Sequence, residues 1–218
     1  MANLIPYLFS IPIVLIALTC HEFAHGYVAY KLGDPTARNL GRLTLNPLKH
    51  LDPIGALCMV LLRFGWARPV PITTRNFKKP KRDMALTAIA GPLANLVLSF
   101  FSLVIVCTLI AVSRRVLLGD FAMRVLEQFL LFFYLSHLLN LSLCVFNLIP
   151  IPPLDGSRIL SVVLPYKIYY SIMKYERYIM IGLMLALLLG VRFGFIGTIV
   201  DFISGGMMRL LLLIPFFQ

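Results

Sequence analysis

Residues 84–112 run for 29 positions without one charged side chain. A spanning helix needs roughly 20 consecutive apolar residues, so this run is long enough to cross a bilayer. In lipid the backbone must bond internally, which leaves a helix as the structure for an isolated run of this length. Comparable apolar stretches cover residues 4–32 and 125–149, and another begins near Tyr178. Composition agrees: 60% of the 218 residues are hydrophobic, 13% are charged and the mean hydropathy is +0.89. One soluble core of this size cannot hide that much apolar surface. The expected fold is an all-α polytopic membrane protein of about 4–6 transmembrane helices, a single domain over residues 1–218. Lipid is then its main partner.

Charge gives the expected orientation. Eleven of the 20 Lys and Arg lie from Lys31 to Arg82 and four more from Arg158 to Arg177, against three between Ser113 and Arg124 and none before Lys31. Positive loops stay in the cytoplasm, so the first and third helices run toward that side. The net charge of +11 lacks the aromatic-interleaved basic pattern of base recognition, and no nucleic-acid partner is expected. The first apolar run has no basic leader and no small-residue cleavage site, so it reads as a retained span. Cys20, Cys58, Cys107 and Cys144 lie in apolar segments without paired spacing and read as buried thiols.

Between the first two helices the chain is polar and rich in Pro and Gly. Its Arg42–Leu45 alternation suits a short strand. Residues 54–66 are too short to cross and suit a re-entrant or interfacial segment. Beyond Tyr178, Gly190, Arg192 and Gly194 interrupt the apolar pattern and leave the last helix ends open.

The first helix carries the sequence His21-Glu22-Phe23-Ala24-His25. Residues four apart share a helix face, so His21 and His25 can meet one metal ion, with Glu22 beside them to act on a water. Two imidazoles on zinc with a carboxylate as general base is metalloprotease chemistry. A charged group at membrane depth costs roughly 2.5–3.5 kcal/mol on insertion scales, which favours a use for Glu22 over chance. A headgroup-level position for residues 21–25 is the bland alternative.

Catalytic zinc takes a third protein ligand. Asp34, Asp52 and Asp83 fall in basic loops as solvated or capping residues, Asp120 and Glu127 at the far end of the third helix, Glu176 in a basic run and Asp201 in an apolar tail. Asp155, at the end of the third helix in NLIPIPPLDG, reaches the depth of His21 and His25. A turn role before Gly156 is its competing reading. His50 reads as a structural loop residue and His137 as a helix-packing residue. Asn95 and Asn147, polar on apolar helices, need bonding partners there. Packing is the simple reading for both, and both are candidate substrate contacts. Asn147 lies beside the helix break, where its amide can hold an extended chain.

HEFAH in the first helix, GPLAN in the second and NLIPIPPLDG closing the third, joined by GRLTLNPLKHLDPIG and GWARPVPI, resemble the site-2 protease family of intramembrane zinc metalloproteases. The match runs from about Thr19 to Leu160 and is similar to the compact prokaryotic branch without a PDZ or CBS domain. The resemblance implies one Zn²⁺ held by His21, His25 and Asp155, with Glu22 as catalytic base. It implies hydrolysis of a peptide bond in or near a transmembrane helix of a membrane-protein substrate, near the cytoplasmic face of a prokaryotic inner membrane. The alternative is a metal-binding or metal-transport membrane protein without protease activity, which would spread polar ligands through the bilayer depth.

Overall fold

The computed structural model describes residues 4–55, 58, 67–191 and 193–217. The elements are α1 (Leu4–Lys31), the short α2 (Thr36–Asn39), α3 (Pro80–Ser113), α4 (Asp120–Asn147), α5 (Asp155–Val163), α6 (Tyr166–Met173), α7 (Glu176–Leu188) and α8 (Gly194–Leu211). Of these, α1, α3, α4 and α8 are long and apolar enough to cross a membrane. No strand occurs among the described residues. Arg42–Leu45 is an irregular turn rather than a strand, because the His50 ring bonds the Thr44 carbonyl and Arg42 reaches away to other carbonyls. An isolated antiparallel bridge joins Leu51 to Ala67. Most of the expected re-entrant segment, 54–66, lies outside the described residues.

The bundle is built with small and polar residues inside and large apolar ones outside. On α3, Thr87, Gly91, Asn95 and Ser99 recur every fourth residue and are buried, while Leu93, Val97 and Phe101 on the other side are more than half exposed. Small residues let helix backbones approach, and lipid takes the large side chains. α3 therefore packs centrally, against α1, α4 and α5. Its start is well marked: Pro80 at the first turn, with the Asp83 carboxylate accepting from the Lys79 N–H at 2.9 Å.

The fourth spanning helix is not the one that starts near Tyr178. That helix, α7, stops after 13 residues, and Gly190 turns the chain in the left-handed region (φ 77°) before α8 begins. α8 seats Val200 on Leu141 and Val145 of α4 and Leu211 on Leu103 and Cys107 of α3. Asp201 therefore lies within a spanning-length helix, on its exposed side, rather than past a helix end. His137 is a packing residue, fully buried, bonded to Ser99 of α3 and Ser204 of α8 at 2.8 Å each.

The polar connection after α1 is anchored on a carboxylate. Asp34 is fully buried, not solvated, and accepts from Thr36, from the Thr73 N–H and from the Asn76 amide, the last two at 2.7 Å. Burial pushes its carboxyl up, but these bonds outweigh it and hold the group below the ordinary carboxylate range. Asp83 is also buried. The ties at Asp34 and at Arg42, whose guanidinium donates to the Arg68 carbonyl at 2.6 Å, stretch residues 67–73 across the end of α1.

Candidate active site

Helical periodicity puts His21 and His25 on one face of α1, and α3 supplies what orients them. The His21 Nδ1–H donates to Asn95 Oδ1 at 2.6 Å, and the His25 Nδ1–H donates to the Thr87 carbonyl at 2.7 Å. Each ring thus keeps its proton on Nδ1 and a lone pair on Nε2. The two Nε2 atoms stand 3.0 Å apart. Asp155 Oδ2 lies 3.0 Å from one and 3.2 Å from the other.

Asp155 does not end the third helix, as the sequence suggested. That helix stops at Asn147, and Asp155 is the first residue of α5. The seven intervening residues, which include three prolines, cannot continue a helix and return the chain to the histidines. Gly156 is required here for space and not for its φ. A Cβ there would meet the Leu148 and Ile149 carbonyls at 2.3 and 2.5 Å. The turn reading of Asp-Gly is therefore replaced by close packing of α5 on the end of α4. Gly156→Ala should lower the thermal unfolding midpoint in detergent, although Ala normally favours a helix over Gly by about 0.5–1 kcal/mol. Overpacking against backbone costs about 1–3 kcal/mol and decides the sign; an unchanged or raised midpoint would count against the crowding.

Three acceptor atoms within 3.2 Å of one another, and Asp155 Oδ2 buried without a hydrogen-bond donor, repel unless a cation lies among them. The site keeps room for one. A Cβ on Gly91 of α3 would fall 2.4 Å from His25 Nε2 and 2.6 Å from His21 Nε2. Ligands of a tetrahedral zinc at about 2.0–2.1 Å stand about 3.3 Å apart, so two imidazoles and a carboxylate at these spacings fit Zn²⁺. His21, His25 and Asp155 form the group able to hold a metal among the described residues.

Glu22, half-buried, accepts the Val70 N–H of the 67–73 segment on its Oε2 at 2.7 Å. Val70 itself is buried, with its Cγ1 against Gly26 of α1. Of the candidate substrate contacts, Asn95 is fully buried and bonded to His21 and Asn140, which places it behind the histidine rather than facing a substrate. Asn147 is half-buried at the end of α4, and its amide donates to the Leu143 carbonyl at 3.0 Å. His50 is buried and bonded to the Thr44 carbonyl, as a structural residue. Sequence reasoning missed Gly91, the Thr87 carbonyl and the Val70 N–H. Only the four-residue spacing of Gly91 from Thr87 and Asn95 hinted at a common face.

Residues 9–190 match the model of peptidase family M50, the site-2 protease family. YwhC of Bacillus subtilis (strain 168), which carries a provisional zinc metalloprotease name, is 44% identical over 176 residues, covering 81% of this chain and 77% of that protein. Rip2 of Mycolicibacterium smegmatis, similarly named, is 32% identical over 146 residues, 65% of this chain and 52% of its own length. The zinc metalloprotease MJ0392 of Methanocaldococcus jannaschii is 29% identical over 158 residues, and the match covers 35% of it. No solved structure matches significantly. On the family match and the YwhC similarity, the chain belongs to peptidase family M50, the site-2 protease family, and is an integral-membrane zinc metalloprotease.

Proposed function

We propose that this protease hydrolyses a peptide bond in or next to a transmembrane helix of another membrane protein, near the cytoplasmic face of a prokaryotic cell membrane. The observation that carries the reading is the convergence of His21 Nε2, His25 Nε2 and Asp155 Oδ2 beside Glu22 on a membrane-length helix. His21, His25 and Asp155 are the ligands of one Zn²⁺. Zinc so held supplies a Lewis acid and water acidified to a pKa of about 7. Glu22 takes the proton released as water attacks the scissile carbonyl and passes it to the amine that leaves. The Val70 N–H steadies Glu22 as an anion before it takes the proton and again after it has given it up. Single-domain organisation over residues 1–218 belongs to the same reading.

A helical substrate hides its carbonyls in its own hydrogen bonds, so it must unwind to be cut. In lipid each freed backbone group costs several kcal/mol unless satisfied. The stretch 70–73, which runs along α1 outside any helix, is suited to receive an unwound segment by strand addition. Asn147, at the end of α4, is the side chain assigned to a substrate contact. The charge asymmetry of the loops supports a cytoplasmic site.

The test is cleavage of a tagged panel of single-span membrane proteins by purified protein in lipid. A zinc chelator should abolish cleavage, and added Zn²⁺ should restore it. Cleavage that survives complete zinc removal would sink the reading. Metal uptake across proteoliposomes without cleavage would favour transport.

A further inference from the structure

The two histidines are oriented by unequal means. The His25 Nδ1–H donates to a backbone carbonyl, Thr87, which can only accept. The His21 Nδ1–H donates to the side-chain amide of Asn95, which offers either an oxygen or an NH₂ depending on which way it is turned. Were that amide reversed, its NH₂ would face Nδ1. The imidazole proton would then move to Nε2, and His21 would present N–H rather than a lone pair to Asp155. The orientation of Asn95 therefore decides whether His21 can bind metal.

Asn95 does not fix its own orientation. Its Nδ2 donates at 3.1 Å to Asn140 Oδ1 of α4, a residue only 2% exposed. Asn140 is itself a reversible amide, but its Nδ2 faces two acceptors. One is the Ser136 carbonyl at 2.9 Å. The other is Ser136 Oγ at 3.4 Å. Ser136 Oγ is an acceptor in this position because Ser102 Oγ, 2.9 Å away, gives its own proton to the Leu98 carbonyl at 2.8 Å and so receives the Ser136 proton. Turning Asn140 over would set its oxygen 2.9 Å from the Ser136 carbonyl oxygen with no proton between them. Each bond in the series thus has one possible direction. The Ser136 carbonyl orients Asn140, Asn140 orients Asn95, and Asn95 holds the proton of His21 on Nδ1.

We propose that Asn140 is a positioning residue for the metal site, setting the tautomer of His21 through Asn95 from the neighbouring helix α4. This rests on the assignment of His21 as a zinc ligand. A structural explanation, in which Asn140 merely joins α3 to α4, accounts for a buried bond between the helices. It does not require metal affinity to depend on Asn140 more than on other bonds of the same interface.

The experiment uses the full-length protein in nanodiscs and titrates Co²⁺ alone, following its visible absorption, for Asn140→Leu, Asn95→Leu, the double variant and Ser99→Ala. Ser99 is buried one turn from Asn95 and bonds α4 through His137, so it serves as the packing control. Groups behind metal ligands typically contribute about 10–100-fold to affinity. Asn140→Leu should weaken Co²⁺ binding by about 10-fold on that scale, and Ser99→Ala should leave it within about twofold. In the Asn95→Leu background, Asn140→Leu should add nothing, since its path to His21 is already cut. Unchanged affinity in Asn140→Leu, equal losses in Asn140→Leu and Ser99→Ala, or additive losses in the double variant would overturn the proposal. Should Asn140→Leu fail to accumulate, Asn140→Ala removes the same three bonds without adding bulk. A His21→Leu variant separates the two readings: if it binds Co²⁺ as the unaltered protein does, the metal assignment itself has failed.

Discussion

Glu22→Gln is expected to keep its zinc and lose cleavage by about 10³-fold, within the range a general acid–base group contributes. The substitution is nearly isosteric. Its amide oxygen can still accept the Val70 N–H that Glu22 accepts at 2.7 Å, so the side chain should stay in place. What it loses is the ability to take a proton from water and return it to the departing amine. The three residues assigned to the metal are unaltered, and zinc content should remain near that of the unaltered protein. Zinc by elemental analysis and cleavage of the same single-span panel are measured on one preparation. Retention of more than about a tenth of the rate, far above what loss of a general base allows, would remove Glu22 from that role. Loss of zinc together with cleavage would place Glu22 among the ligands instead.

The parts of this site legible in the sequence are those fixed by local geometry. His21 and His25 lie four apart on one helix, and the period alone puts them together. Asp155 was found by excluding the other acidic residues and by counting spans, which needs only topology. Burial that depends on a loop's path was not legible: Asp34 sits among cations in the sequence, yet it is buried and collects donors from Thr73 and Asn76, 39 and 42 positions away. Asp83 caps the start of α3, one of the two roles the sequence offered, although it too is buried. Asn95 was visible as a polar residue on an apolar helix that needs a bonding partner, but that partner, His21, is 74 positions away, so which side chain it orients was not legible. The last spanning helix was shifted because the Gly190 turn splits one apolar stretch into two helices.

Gly91→Ala is expected to abolish zinc binding, and cleavage with it, by adding a single methyl group. Exposed glycines in helices gain about 1 kcal/mol on substitution by Ala, so propensity alone predicts a slightly more stable protein. The site forbids that outcome. The added Cβ would lie 2.4 Å from His25 Nε2, 2.6 Å from His21 Nε2 and 2.6 Å from His25 Cε1. It would occupy the space toward which both metal-facing lone pairs point. The rings can yield only by breaking the Nδ1 bonds to Asn95 and Thr87, and α1 can yield only by moving off α3. Either response separates the nitrogens from Asp155. Overpacking by itself costs about 1–3 kcal/mol, which a bundle with several other helix contacts can absorb. The prediction is therefore a folded protein, unchanged in circular dichroism, whose zinc affinity has fallen on the order of 10²-fold or more, at or beyond the upper end of what displaced supporting groups cause. Full zinc occupancy and cleavage in Gly91→Ala would mean that the metal is held elsewhere than between the imidazoles and α3.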